Sequence, residues 1–408
     1  MKTINLLLST LGLLTLSLST YAQTSDSEEW QVRTLVKNGS AVTASETLDN
    51  AVVYTTGKRE PNLVLVNKDG AKELYVSSLD GIIGKVDLKA ETYSPVVNDQ
   101  STGNNNGVTF SLDGDTLVYT FANNQWGSTT DGTGIPTGIV CLKYALRSED
   151  FKTAYDYAYG FGAYTPAYNP MDKSIYYTTW GETGLYKVQD NASTGHKEAK
   201  WLLNTRTSGA NSRIAIHPTG KYIYVFWQGW MYRITYNEGT KTYDASTLFA
   251  GKDNEVGYQN GRGTEARFSF DKSYGVFVKN PLYEGLDDEY DFYVTDAGNN
   301  CIRKITPYGD VSLFAGTPGV WGAADGAALS AAFDTPTGIA YDEETQTFYV
   351  ADSNGIRTIS NDSATGICSL ENVSQNAGKA TIYNLAGQRV GANYRGIAIQ
   401  NGKKMVRK

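Results

Sequence analysis

Short apolar runs separated by polar turns recur along nearly the whole chain. Six share one form: ELYVSS (Glu73 to Ser78), TLVYTF (Thr116 to Phe121), SIYYTTW (Ser174 to Trp180), YIYVFW (Tyr222 to Trp227), DFYVTD (Asp291 to Asp296) and TFYVAD (Thr347 to Asp352). Each follows a turn such as NKDGAK, NPMDK or HPTGK, whose Gly, Pro, Asn and Asp residues supply the backbone geometry of a hairpin. Another short strand precedes the turn, as in LVLV at Leu63 to Val66, GVTFS from Gly107 and RIAI at Arg213 to Ile216. A third follows: IGKVD, IVCLKY, GLYKV, WMYRITY, CIRKI and GIRTI. The units hold strands without helical periodicity, which predicts small antiparallel fans arranged in series.

Two of the fans read almost alike. Leu248 to Pro307 and Leu313 to Ser360 each set an L-F-A-G strand end, a Gly-rich loop, an Ala and a Phe, an apolar strand, and a Tyr-Val-x-Asp strand followed by Ile-Arg. Self-similarity at this length marks an array of supersecondary units, and strand units select a β-propeller over a helical solenoid. The match rests on Asn260, Gly261, Ala266, Phe268, Tyr293, Val294, Asp296, Asn299, Ile302 and Arg303 in the first copy. In the second it rests on Asp325, Gly326, Phe333, Tyr349, Val350, Asp352, Asn354, Ile356 and Arg357. In this order the pattern resembles the NHL repeat family, which implies an all-β, six-bladed NHL-like β-propeller over residues 23–367.

A ring must be closed, because an open one leaves two sheet edges unpaired. The last fan shows three strands, and Trp30 to Val36 (WQVRTLV) resembles the outer strand that precedes each repeat. It is expected to pair onto the last fan.

Residues 1–22 carry one early cation, the apolar stretch LLLSTLGLLTLSL and small residues before Gln23, the form of a removable export signal. No later stretch is apolar for long enough to span a bilayer, so the chain is expected to be exported: periplasmic, cell-surface or extracellular. Residues 368–408 form a different segment, short and β-rich, ending in a basic cluster. Its ATIYNLAGQRV, RGIAI and NGKK elements resemble the type IX secretion sorting modules of Bacteroidetes proteins. A sorting signal and a small solvated β appendage both stay open.

Charge removes one class of partner. With 43 acidic against 36 basic residues, the chain lacks the basic footprint that nucleic acid requires. Cys141 and Cys301 fall on third strands of separate fans, too far apart to bridge; all three cysteines are expected free.

In a propeller, loops after the second strand share a face with the connections between blades. Trp126, Trp180, Trp227 and Trp230 follow second strands, and Trp321 lies in a connection. These five are the candidate ligand-binding residues, suited to stacking on sugar rings or gripping a protein; the competing reading is that they wedge between blades. Asp296 and Asp352, with Asn299, Asn300 and Asn354 nearby, invite a metal, yet Asp-x-x-Asn after a strand is also a tight-turn device, and the turn is preferred. Relatives of the fold include lyases that depend on several histidines and calcium-dependent lactonases. Here there are two histidines: His217 in a turn on the other face and His196 in a linker. No catalytic or metal residue is assigned and no cofactor is expected, although a carboxylate-only calcium site stays open. The Gly-rich loops lack the Lys-Ser/Thr ending of a phosphate-binding loop. The reading is a non-enzymatic exported binding protein for a protein or polysaccharide. The alternatives are a metal-dependent lyase or lactonase and a structural envelope component.

Overall fold

The computed structural model describes residues 30–37, 61–77, 82–98, 107–111, 113–120, 140–160, 162–179, 184–205 and 212–361, and the backbone of 382–384, 389–390, 396–400 and 403–407. The expected export signal lies outside them, as do Trp126, Trp180 and Cys368. The chain divides into two compact units, Met1–Ala364 and Thr365–Lys408.

In the first unit the described residues form an all-β, propeller-like array. Within each sheet most strands pair antiparallel with their neighbours in sequence. The first takes Asn62–Lys68, Ala71–Ser77, Ile82–Asp87 and Thr92–Asn98 in order. Next comes an eight-stranded sheet holding two such meanders, Val108–Phe110 to Ala154–Tyr159 and Ala163–Asn169 to His196–Asn204. One parallel pair, Glu198 with Tyr159, joins their outer strands. Arg213–Ile216, Tyr222–Trp227, Trp230–Asn237 and Thr247–Gly251 follow, then Gly275–Lys279, Tyr290–Asp296, Cys301–Ile305 and Asp310–Ala315. The last sheet has Ile339–Asp342, Thr347–Asp352 and Gly355–Asn361 from the end of the unit.

Its fourth strand comes from the start of the chain. Trp30–Lys37 pairs antiparallel with Gly355–Asn361, from Trp30 opposite Asn361 to Lys37 opposite Gly355. Its outer edge takes Gly326–Ala327, just as Gly261–Arg262 pairs onto Asp310 and Val311 in the preceding sheet. The N-terminal strand therefore occupies the place that Asp310–Ala315 fills one unit earlier, as its sequence suggests.

The core lies between sheets. Phe226, Phe268, Phe270 and Phe292 pack together across one junction, and Phe314, Phe333 and Phe348 across the next. Leu35, Leu63, Leu74, Ala340 and Tyr349 share a cluster drawn from the first and last sheets, so the array closes on itself. Alternation puts every second side chain of a strand on one face, and each face meets a different neighbour; this is why the second strands read as nearly continuous apolar runs. Cys141 and Cys301 sit on third strands, buried and unbridged. Burial pushes the Cys141 thiol up to about 12, leaving it inert as a nucleophile at neutral pH.

Two details differ from the sequence expectation. By sequence, the long segment from Tyr274 to Asp291 reads as a loop inserted into its fan. Its first part is the inner strand Gly275–Lys279, because Val276, Phe277 and Val278 face neighbouring sheets, and the true insertion is shorter. The C-terminal segment reads in sequence as two or three strands, whereas the described residues of the second unit hold four: Arg389–Val390, Ile382–Asn384, Gly396–Gln400 and Lys403–Arg407 in spatial order. The additional strand is only two residues long, below what alternation can reveal.

Closure is reinforced by polar contacts. Asp325 accepts hydrogen bonds from the Thr34 backbone N–H (3.1 Å) and hydroxyl (3.0 Å) and pairs with Arg357 at 2.5 Å. Lys72 of the first sheet reaches Asp342 of the last at 2.5 Å. Partial burial pushes the Asp325 carboxyl up, but the Thr34 N–H and Arg357 outweigh it, so its pKa is held below the ordinary value. A depressed carboxylate stabilises the fold at pH values above the unfolded pKa of about 4, and that stabilisation is lost as pH falls through the lower folded pKa. Asp325→Asn is expected to cost about 1–3 kcal/mol at pH 7 by leaving donors poorly matched. Urea unfolding at pH 7 and pH 3 should show the gap between parent and variant narrowing in acid; an unchanged gap would contradict this role.

Candidate binding face

Two connections between sheets, Gly251 to Gly261 and Gly316 to Gly326, are built to one plan. Each begins with the glycine of L-F-A-G in the left-handed region, φ 81° at Gly251 and 90° at Gly316. A Cβ on Gly251 would lie 2.2 Å from the Gly229 carbonyl oxygen, so no larger residue fits. Further on, the Gly257 N–H donates to the Phe268 carbonyl (2.9 Å) and the Gly322 N–H to the Phe333 carbonyl (3.1 Å). Asn299 Nδ2 donates to the Gly257 carbonyl at 2.7 Å, and Asn354 Nδ2 to the Gly322 carbonyl at 2.8 Å.

A buried arginine anchors each loop from below. Arg303 donates to the carbonyls of Arg267 (3.0 Å) and Gln259 (2.9 Å), to Asn260 Oδ1 (2.8 Å) and to Asp296 Oδ2 (2.9 Å). Arg357 donates to the carbonyls of Ala332 (3.1 Å) and Ala324 (3.1 Å), to Asp325 Oδ1 (2.5 Å) and to Asp352 Oδ2 (3.3 Å). Both guanidinium groups and both Asp296 and Asp352 carboxylates are fully buried. The planar fork of arginine suits this work, since one side chain satisfies several fixed acceptors at once.

The same contacts settle how the two aspartates are used. Asp296 also accepts from the Ser269 N–H (2.7 Å) and Asn299 Nδ2 (2.9 Å), and Asp352 from the Asn354 N–H (2.8 Å). Burial pushes both carboxyls up, against the pull of the arginines. Their lone pairs serve the turn and the arginine, as the tight-turn reading expects. Among the described residues no group of three or more His, Cys, Asp or Glu could hold a metal ion. His217 is a turn residue of the same kind: its Nδ1 accepts from the Thr219 N–H at 3.2 Å, as Asp342 Oδ1 does from the Glu344 N–H at 3.0 Å.

What the loops carry at their tips differs. Trp321 is 74% exposed, held out by a segment fastened at Gly322 and also at Gly319, whose N–H donates to the Asn299 carbonyl at 2.8 Å. Val256 occupies the matching position in the other loop and is exposed too, with Val320 and Tyr258 beside these tips. Asn299 contacts both loops, so the two tips belong to one face. Trp227 is half-buried on the Gln228–Gly229 hairpin, edge-on to Trp230 at 6.2 Å. Trp230 is 4% exposed and packs edge-on to Tyr232 at 5.1 Å, so it acts as a wedge between sheets. Trp201, outside the candidate set, is exposed on the outer strand His196–Asn204. Reading the sequence for tryptophan alone passed over Val256 and Tyr258, although the constant offset between the repeats points to Val256 as the partner of Trp321.

No protein-family profile matches the chain, and no curated protein matches it. Solved structures do. An auxiliary nutrient binding protein from Bacteroides ovatus is 27% identical, with 81% of this chain and 76% of that one covered and a TM-score of 0.65. One of the same description from Bacteroides thetaiotaomicron is 24% identical over 81% and 76%, TM-score 0.66. A provisionally named phosphatase from the same organism is 24% identical over 81% and 78%, TM-score 0.67. The chain shares the propeller-like fold of these Bacteroides proteins. Among the described residues no helix is long and apolar enough to cross a membrane.

The buried arginine frame has a measurable consequence. Asp296→Ala strips a fully buried guanidinium of its carboxylate and should cost about 3–5 kcal/mol. Equilibrium unfolding checks it, and a loss below about 1 kcal/mol would mean that the pair does not hold the loop.

Proposed function

We propose that the protein is an exported, non-enzymatic binding protein whose ligand, a nutrient polysaccharide or protein, docks on the face bearing Trp321. The observation that carries this reading is a large indole kept in solvent by a loop tied down on both sides of it. A largely solvated tryptophan forgoes about 2–3 kcal/mol of burial. Aromatic rings exposed on a rigid support are what stacking on a sugar or filling a partner's pocket uses.

The likeness to an auxiliary nutrient binding protein at 27% identity supports a binding role. In this reading residues 23–367 form a six-bladed NHL-like propeller, each antiparallel four-stranded meander being one blade and the last completed by Trp30–Lys37. Trp126 and Trp180, outside the described residues, are assigned to the same ligand as Trp321 and Trp227, while buried Trp230 supports Trp227. Residues 1–22 serve as the export signal, and the C-terminal unit is assigned here as a sorting module that brings the protein to the cell surface.

The test is binding of the full mature chain to a polysaccharide array and to immobilised candidate proteins, repeated with Trp321→Ala and with Trp201→Ala as a control away from the face. Loss of an exposed aromatic anchor should weaken binding about tenfold or more, equivalent to about 1.4 kcal/mol, with the Trp201 variant unchanged. A ligand held equally well by Trp321→Ala and the parent would overturn the assignment of this face.

A further inference from the structure

The hairpin between Gly275–Lys279 and Tyr290–Asp296 is unlike its counterparts. Other first-to-second strand turns need two to five residues, as between Lys68 and Ala71 or Ile216 and Tyr222; this one takes the ten residues from 280 to 289. Such turns lie at the end of each sheet opposite the Trp321 loops, so the insertion belongs to the other face of the ring.

Its backbone is fixed at many points. Asn280 Oδ1 caps the Leu282 N–H at 3.0 Å while its Nδ2 donates to Asp291 at 2.7 Å. The Gly285 N–H donates to Glu289 Oε1 at 2.7 Å, and Asp288 accepts from the Tyr290 N–H and lies 3.1 Å from His217 Nε2 of the preceding sheet. These bonds hold the apolar side chains outward. Leu282 is 84% exposed and Leu286 49%. Exposed Tyr308, in the neighbouring Thr306–Asp310 turn, meets Tyr283 of the insertion edge-on at 6.0 Å. Scattered exposed leucines are ordinary; leucines clustered with tyrosines on a pinned insertion form a patch.

The charge around the patch is one-sided. No Lys or Arg occurs between Lys279 and Arg303. The flanking cations are engaged, Lys279 by Glu289 at 2.9 Å, Lys304 by Asp291 at 3.0 Å and Arg262 by Asp310 at 3.8 Å. Glu284 and Asp287 are exposed and form no ion pair among the described residues.

We propose that this insertion is a second docking surface, for a protein partner that presents apolar side chains flanked by lysine or arginine. Apolar contact in the middle with opposite charge at the rim is the usual anatomy of such an interface. Anionic lipid headgroups would be repelled by Glu284 and Asp287, and leucine offers a sugar no aromatic face to stack on. The surface is independent of the Trp321 face, and so is its test.

Two fluorescein-labelled synthetic peptides, one alternating Leu with Lys and one alternating Leu with Glu, serve as probes of the full mature chain by fluorescence anisotropy. The Leu-Lys peptide should bind the parent and the Leu-Glu peptide should not. Leu282→Ser/Leu286→Ser and Glu284→Lys/Asp287→Lys should each weaken the Leu-Lys peptide at least tenfold, while Trp321→Ala leaves it unchanged. The four side chains are exposed and make no hydrogen bond or ion pair among the described residues, so both variants should unfold near the parent's temperature. Failure of the Leu-Lys peptide to bind the parent, or equal binding to the variants, would overturn the proposal; equal binding with Trp321→Ala weakened would transfer the interaction to the other face.

Discussion

Everything in the first unit depends on one strand being in the right place. Sheets that pack face to face in series bury their apolar surfaces only against neighbours, so the first and last each lack a partner until the series bends into a ring. Trp30–Lys37 supplies the missing edge of the last sheet, and the cluster of Leu35, Leu63, Leu74, Ala340 and Tyr349 then covers the seam. The pairing joins residues more than 300 positions apart in sequence, an entropic cost met only when the intervening sheets already hold the ends close. Closure therefore belongs late in folding and makes the ring a cooperative unit. Asp325 ties it into the repeat itself, since the carboxylate that receives Thr34 also receives Arg357.

The arginine frame explains why the sequence repeat looks as it does. Ile-Arg on the third strand, Asp at the end of the second and Asn-Gly or Asp-Gly at the end of the loop are not three separate signals. They are the donor and the acceptors of one network around a buried guanidinium, brought together by strand pairing. Removing either partner would leave a charge stranded in low dielectric, where the penalty is several kcal/mol. That penalty fixes these residue types while leaving the loop tip free to vary.

Much of this was legible from the chain alone. Strand triplets, the turns between them, the free third-strand cysteines and the N-terminal closing strand all follow from alternation and from turn chemistry, which are local properties. The turn role of Asp296 and Asp352 was legible too, but their arginine partners were not, since Arg303 and Arg357 carry no local mark of burial. Exposure was the least readable property. Trp227 and Trp230 flank the same two-residue turn, and their identical chemistry cannot say that Tyr232 and the adjoining sheet cover one more than the other. The exposed leucines of the 280–289 insertion were hidden for the same reason: a leucine in a long hairpin carries no local mark of whether a neighbouring sheet covers it.

Stability and recognition are thus separable in this ring. The guanidinium groups grip carbonyl oxygens at the base of each connection, and backbone N–H groups grip the rise toward the tip, so the residue at the tip contributes little to holding the loop in place. Val256 and Trp321 illustrate this: one scaffold, the same hydrogen bonds to the following Phe and Asn, and two side chains of very different size in solvent. The 280–289 insertion follows the same logic at the other end of the sheets, where capping bonds and the Asp288 contact to His217 hold the backbone while Leu282 and Leu286 stay free. A fold whose energy lies between its sheets can carry different chemistry on its two faces, because exchanging an exposed tip leaves the buried network that defines the ring untouched.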